Sequence, residues 1–364
     1  MSTIQYYRLY VLCIFIIITH FNVVVSTLDT VHGIASDQQQ PCSILKTQNY
    51  RVTSDINYEY IHVKASDNGN TSKTTFLFLH GFPSSLHCWR HQIEYFSKQG
   101  YGCIAPNLMG YGKTYSPLDK DEYKIKSMVD HIIALLDHLH LEKVFVVGHD
   151  WGSRLANRFT LHHPERTLGL VLISVGYDAP AIFDLDRSLV ALTTAFGYPT
   201  LGYWKFLNSD DAAAIIETNA ESFMDLTFTS NPFQWKTDFA PIGKMQDWVI
   251  HGRRTSRASY MTQDDYKIIY QSIVAGMQPK LNWYKAAIAN IDWDDVKNIN
   301  PRINRPVLFI GGTQDYVCII DAFVGQKNYI ADLKVVQLET GHWVMEEKPN
   351  EVNRVIDEWT KTIV

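Results

Sequence analysis

Short, wholly apolar runs alternate with stretches of helical period along most of this chain. Phe76-Leu77-Phe78-Leu79, Gly102-Cys103-Ile104-Ala105-Pro106, Lys143-Val144-Phe145-Val146-Val147 and Leu170-Val171-Leu172-Ile173 read as buried strands. Between the second and third, residues 127–140 place apolar side chains at Met128, Ile132, Leu135, Leu136 and Leu139, the period of a helix. A further helix carries Leu155, Ala156 and Phe159 and is closed by Pro164. Strands resume at Val307-Leu308-Phe309-Ile310 and Lys334-Val335-Val336-Gln337-Leu338, and a helix over 349–360 ends the chain. Continuous apolar strands separated by helices predict an α/β fold, with a mainly parallel central sheet covered by helices on both faces.

The alternation stops near Gly176. From about 180 to 290 the sequence is aromatic and helical without buried-strand runs, which predicts a helical insertion. The expected organisation is a core in two parts, 27–179 and 291–364, with the helical cap at 180–290 between them. Residues 27–48 are polar and irregular, as a strap would be.

The first 26 residues have the layout of a secretory signal peptide. Arg8 precedes the apolar run Leu9-Tyr10-Val11-Leu12-Cys13-Ile14-Phe15-Ile16-Ile17-Ile18, and Val24-Val25-Ser26 offers a small-residue cleavage site. His20 and Asn22 interrupt the run, so cleavage is favoured over a membrane anchor at residues 9–26. Asn70-Thr71-Ser72 is a glycosylation sequon, which makes Asn70 a candidate acceptor and agrees with a secreted protein. The formal charge is −5, and loss of the leader with Arg8 makes it −6. Lys and Arg form no basic run, which argues against nucleic acid or an anionic membrane surface as a partner. Cys42, Cys88, Cys103 and Cys318 have no disulfide-framework spacing, and Cys88 and Cys103 read as buried thiols. No His/Cys spacing suggests a metal.

The strand at 143–147 runs into Gly148-His149-Asp150-Trp151-Gly152, a nucleophile-elbow pattern with aspartate at the position usually held by serine. A carboxylate is already an anion at neutral pH, and it can displace a leaving group from saturated carbon to form an ester on its own side chain. An elbow of this kind calls for an acid and then a histidine further along the chain. Asp315 follows the strand at 307–310 within Gly311-Gly312-Thr313-Gln314-Asp315, and His342 follows the strand at 334–338 within Gly341-His342-Trp343. Both then fall at the carboxyl edge of the sheet, where open α/β folds bind ligands. His80-Gly81-Phe82-Pro83 closes the strand at 76–79, so the backbone N–H groups of Phe82 and Trp151 are the expected oxyanion donors.

On these segments the chain, from about residue 50 onward, resembles the epoxide hydrolases of the α/β-hydrolase fold. Gly202-Tyr203-Trp204-Lys205-Phe206 and Pro279-Lys280-Leu281-Asn282-Trp283-Tyr284 resemble that family's two cap tyrosine motifs. The resemblance implies a cap inserted after the sixth strand, with Tyr203 and Tyr284 donating hydrogen bonds to an epoxide oxygen. A phenol also suits the chemistry, because ring opening leaves an alkoxide that needs a neutral acid nearby. Tyr198 is the alternative to Tyr203. The loop Pro106-Asn107-Leu108-Met109-Gly110-Tyr111-Gly112 lacks the aspartate-arginine pair of many members, so a supporting polar network is not carried over to it.

The expected function is hydrolysis of an apolar epoxide by water to a vicinal diol, through a hydroxyalkyl ester on Asp150, without cofactor or metal. Trp204, Phe206, Phe233, Trp235 and Trp283 point to an apolar substrate. A haloalkane dehalogenase would share the triad, but it would be expected to carry a halide-holding asparagine where Phe82 stands. A fluoroacetate dehalogenase would carry arginine in place of Trp151. A non-catalytic binding protein on this fold tends to lose part of the triad, whereas all three members are present. A serine esterase has no serine at the apex, since Ser153 lies beyond it.

Overall fold

The computed structural model describes residues 46–66 and 73–364. The apolar leader, Cys42 and Asn70 lie outside these residues. Among the described residues no helix is long and apolar enough to cross a membrane.

The strands form one eight-stranded sheet in the order β1-β2-β4-β3-β5-β6-β7-β8. They are β1 (Gln48–Arg51), β2 (Asn57–Val63), β3 (Thr75–Leu79), β4 (Gly102–Pro106), β5 (Val144–His149), β6 (Thr167–Ile173), β7 (Val307–Gly312) and β8 (Leu333–Leu338). From β4 to β8 every pairing is parallel, while β1 and β2 join antiparallel at one edge. The strands β3, β4, β5 and β7 are buried along their whole length, and β1 and β8 at the two edges are partly exposed. That gradient explains the sequence pattern, since a parallel strand covered by helices on both faces needs apolar residues at consecutive positions.

Register puts the chemistry at one edge. Leu79 pairs with Gly148, His149 with Ile173, Ile173 with Ile310 and Gly312 with Leu338. The loops that follow β3, β5, β7 and β8 therefore leave the sheet side by side. Between β6 and β7 the chain makes a helical excursion that includes Leu185–Phe196, Ala220–Thr227, Gln263–Val274 and Gln278–Ile288. Its two connections to the sheet are stitched together. Asn290 Oδ1 accepts the N–H of Phe183 at 2.6 Å, and its Nδ2 donates to the Phe183 carbonyl at 2.8 Å. Arg158, buried on the helix Trp151–His162, donates to the Asp178 carbonyl at 2.8 Å. Trp204, Phe206, Trp235 and Trp283 are buried in this excursion, whereas Phe233 is 48% exposed and stands apart from them.

Candidate active site

Asp150 sits between β5 and the helix Trp151–His162 with φ 54° and ψ −121°. That backbone conformation is costly for a residue with a side chain, about 1–3 kcal/mol, and persists only where the surroundings enforce it. Here they do. A Cβ at Gly152 would collide with the carbonyl oxygen of Leu79, and one at Gly148 with the Gly152 carbonyl, so only glycine allows the turn to close. Ser153 Oγ donates to the Gly148 carbonyl at 2.7 Å and secures the first turn of the helix. The carboxylate is thrust out at a helix N-terminus, where the aligned peptide dipoles favour negative charge.

The N–H of Phe82 donates to Asp150 Oδ1 at 2.8 Å, and the N–H of Trp151 also reaches this carboxylate. Gly81 makes room, since a Cβ there would strike the Asp150 side chain. The Phe82–Pro83 peptide is cis. His342 Nε2 lies 3.7 Å from Asp150 Oδ2, and its Nδ1 lies 2.7 Å from Asp315 Oδ2. A carboxylate at Nδ1 assigns the proton to that nitrogen and leaves the Nε2 lone pair facing Asp150. Asp315 is held in turn by the N–H groups of Val317 and Cys318, both 2.9 Å from Oδ1. The His342 carbonyl accepts from Ser174 Oγ at 2.7 Å and faces His149 Nε2 at 3.0 Å. Trp235 lies against the imidazole with ring centroids 5.1 Å apart.

Tyr203 and Tyr284 form the opposite wall. Both are buried, with ring centroids 6.1 Å apart. Tyr284 packs edge-on against Phe82 at 5.1 Å, Trp151 at 5.0 Å and Trp204 at 4.9 Å, and Tyr203 packs on Phe239 at 4.8 Å. Tyr198 is engaged elsewhere, its hydroxyl donating to the Tyr316 carbonyl at 2.7 Å.

Burial raises the Asp150 pKa, opposed by His342 and by the two backbone N–H groups, and the Asp315 charge adds to the rise. Burial works against the His342 imidazolium, yet Asp315, then Asp150 and Glu347, hold its pKa above the usual histidine value. Burial pushes Tyr203 and Tyr284 well above the ordinary phenol range, and the Asp150 charge acts in the same direction on both. Both phenols are therefore neutral donors at any physiological pH.

Two features of the site carry no sequence signal. A polar network does stand at the loop 106–112. Asn107 accepts the N–H of Leu86 at 3.0 Å and donates to Glu59 Oε2 at 2.8 Å, and that oxygen also takes the N–H of Lys113 at 3.0 Å. Glu59 comes from β2, an element remote in sequence from the loop it supports. The second feature is Cys318, which is buried and unpaired, as are Cys88 and Cys103. Its sulfur, Asp315 and His342 bring three potential metal-ligating atoms within 4.8 Å of one another. The carboxylate and imidazole of that group are already committed to each other, which leaves the thiol as the one unshared donor.

Residues 74–349 match the model of the α/β hydrolase fold family. Epoxide hydrolase 3 of Siraitia grosvenorii is 30% identical over 305 residues, covering 78% of this chain and 90% of the relative. Bifunctional epoxide hydrolase 2 of Rattus norvegicus is 26% identical over 291 residues, covering 78% of this chain. The chain spans about half the length of that relative and of its counterparts in Mus musculus and Sus scrofa. The solved structure of a mutant epoxide hydrolase from Vigna radiata superposes with a TM-score of 0.72 at 26% identity, covering 88% of this chain and 99% of that one. The chain therefore belongs to the α/β-hydrolase fold family, and within it is similar to epoxide hydrolases.

Proposed function

We propose that this protein hydrolyses an apolar epoxide to a vicinal diol in two covalent steps. The observation that carries the reading is the placement of one carboxylate, Asp150, between two backbone donors and an imidazole, beneath two neutral buried phenols. In the first step Asp150 attacks an epoxide carbon and the carbon–oxygen bond of the ring breaks. Tyr203 and Tyr284 hydrogen-bond the departing oxygen and one of them gives it a proton, leaving a phenolate and a hydroxyalkyl ester on Asp150. In the second step Nε2 of His342 takes a proton from water, which attacks the carbonyl carbon of Asp150. Asp315 stabilises the imidazolium. The Phe82 and Trp151 N–H groups stabilise the tetrahedral oxyanion, a kind of contact worth about 2.7–4 kcal/mol per donor in related chemistry. The ester bond then breaks, the imidazolium returns its proton to the leaving alkoxide, and the proton of the acid left on Asp150 passes back to the phenolate, so the diol leaves with the carboxylate, imidazole and phenol restored.

The reading favours an epoxide over a halide for a specific reason. A departing halide needs no proton, whereas an alkoxide does, and two phenols with raised pKa are placed where only the latter would use them.

Isotope labelling tests the route. In a single turnover in oxygen-18 water, the label is expected in the Asp150 carboxylate, with the first diol formed largely unlabelled. Label appearing directly in that diol, with none in Asp150, would mean that water attacks the ring itself.

A further inference from the structure

The loop carrying His342 is tied down by the short helix that follows it. Val344–Glu347 ends in two consecutive acids that reach different partners. Glu346 pairs with Arg90 at 2.7 Å, and the same guanidinium reaches Asp265 on the helix Gln263–Val274 at 3.1 Å. Burial pushes the Glu346 pKa up to about 7, with Arg90 pulling the other way. This chain of charges anchors the four-residue helix between the sheet and the helical excursion.

Glu347 turns back on the loop. Its Oε2 accepts the N–H of Gly341 at 2.9 Å, and the carboxylate also takes the N–H of Trp343. One carboxylate thus binds the residues immediately before and after His342. Glu347 and His342 also share the wall of a narrow crevice with Thr229, Trp235, Tyr260 and Gln314, whose free volume of about 10 Å³ suits one water. None of these Glu347 contacts is used by the chemistry described above.

We propose that Glu347 is a positioning residue for His342, fixing the loop on both sides of the imidazole and thereby setting the reach of Nε2 in the hydrolytic second step. This rests on the two-step reading of the site. A histidine on a five-residue loop between a strand and a short helix has few covalent constraints. A hydrogen bond from the amide before it, with the amide after it drawn to the same carboxylate, adds a restraint on the loop to those that Ser174 and Asp315 supply. The titratable groups that face Glu347 are His342, Asp315 and Tyr260, with Glu346 beside it in the chain. Burial raises the Glu347 pKa and the two N–H groups oppose that rise, while its negative charge adds to those that favour the His342 imidazolium.

Glu347→Gln tests this, because an amide of the same size carries no charge and offers one accepting oxygen where the carboxylate offers two. Single-turnover kinetics should show ester formation unchanged and ester hydrolysis slowed by roughly 10- to 100-fold, the scale of a misplaced catalytic group. The base must be neutral to act, so the hydrolysis rate rises with pH through the His342 pKa. Removing a neighbouring negative charge should move that ascending limb to lower pH, and Glu347→Asp should restore part of both effects. NMR titration of the His342 imidazole in the free protein reads the same shift without any turnover. An unmoved imidazole titration, or equal slowing of both steps, overturns the proposal and leaves Glu347 as a structural cap. Failure of the parent protein to form any ester would overturn the two-step reading instead, while the imidazole titration still decides the electrostatic role of Glu347.

Discussion

The two walls of the site are built from different materials. On the sheet side the polar contacts to Asp150 come from main chain and from loops locked by register, namely the N–H groups of Phe82 and Trp151 and the His342–Asp315 pair. On the side of the helical excursion the polar groups near the nucleophile are two phenols seated among aromatic rings, each of which feels the Asp150 charge. The difference follows the charge each wall handles. The sheet wall faces negative charge twice in the cycle, on the free carboxylate and on the tetrahedral oxyanion, and fixed dipoles meet both at no cost in side-chain reorganisation. The other wall faces a transient alkoxide, for which a neutral, dry, protonated donor is the better match.

The largest effect expected from this division lies on the sheet wall. Asp150→Asn removes the charge and the nucleophile while keeping the shape. It should lower diol production by on the order of 10⁴-fold or more, as loss of a group central to a covalent mechanism does. Mass spectrometry must exclude deamidation back to aspartate. Because the phenol wall is untouched, calorimetric affinity for the diol product should survive the substitution. A variant that still turned over epoxide at the parental rate would remove the sheet wall from the chemistry altogether.

A smaller and step-specific effect is expected from the opposite wall. Tyr203→Phe combined with Tyr284→Phe keeps the aromatic packing and deletes both donors. Ester formation should slow by about 10²- to 10³-fold, within the range for lost general-acid assistance. Hydrolysis of an ester already formed should be barely altered, the reverse of the pattern expected for Glu347→Gln. Measuring the two steps separately therefore sharpens the contrast, and a double variant that slowed only the second step would invert it.

Most of this division was legible from the sequence. The strands β3 to β7 declare themselves by unbroken apolar runs, and the triad by its order after β5, β7 and the partly exposed edge strand β8. The tyrosines of the opposite wall were legible only through resemblance, because an aromatic residue in a helix looks the same whether it packs or donates. β1 and β2 carry no strand signal of this kind. β1 is a partly exposed edge, and β2 mixes Glu59 and His62 with tyrosines, so neither shows a continuous apolar run. Glu59 and Glu347 escaped for a related reason. A lone carboxylate reads as solvated surface until the fold brings a backbone N–H to it, and for Glu59 that donor, Lys113, lies 54 residues away.

The smallest effect concerns that hidden network, and it asks whether the sheet wall owes its placement to polar contacts beneath the loops as well as to register. Asn107→Ala strands one buried donor, the N–H of Leu86, and takes one of three donors from the Glu59 carboxylate, which keeps the Lys113 N–H and the Thr47 hydroxyl. Leaving such groups unsatisfied costs about 1–3 kcal/mol, which should lower Tm by a few degrees in a chain of this size. Asp150 is held by Phe82, Trp151 and the elbow glycines, none of which contacts Asn107 through a side chain, so kcat at temperatures well below Tm should stay near the parental value. Thermal unfolding followed by circular dichroism, beside steady-state rates at low temperature, separates the two outcomes. If the rate fell in proportion to more than the unfolded fraction, the network would be holding the loop that carries Phe82 in place, and the sheet wall would depend on side chains as the opposite wall does.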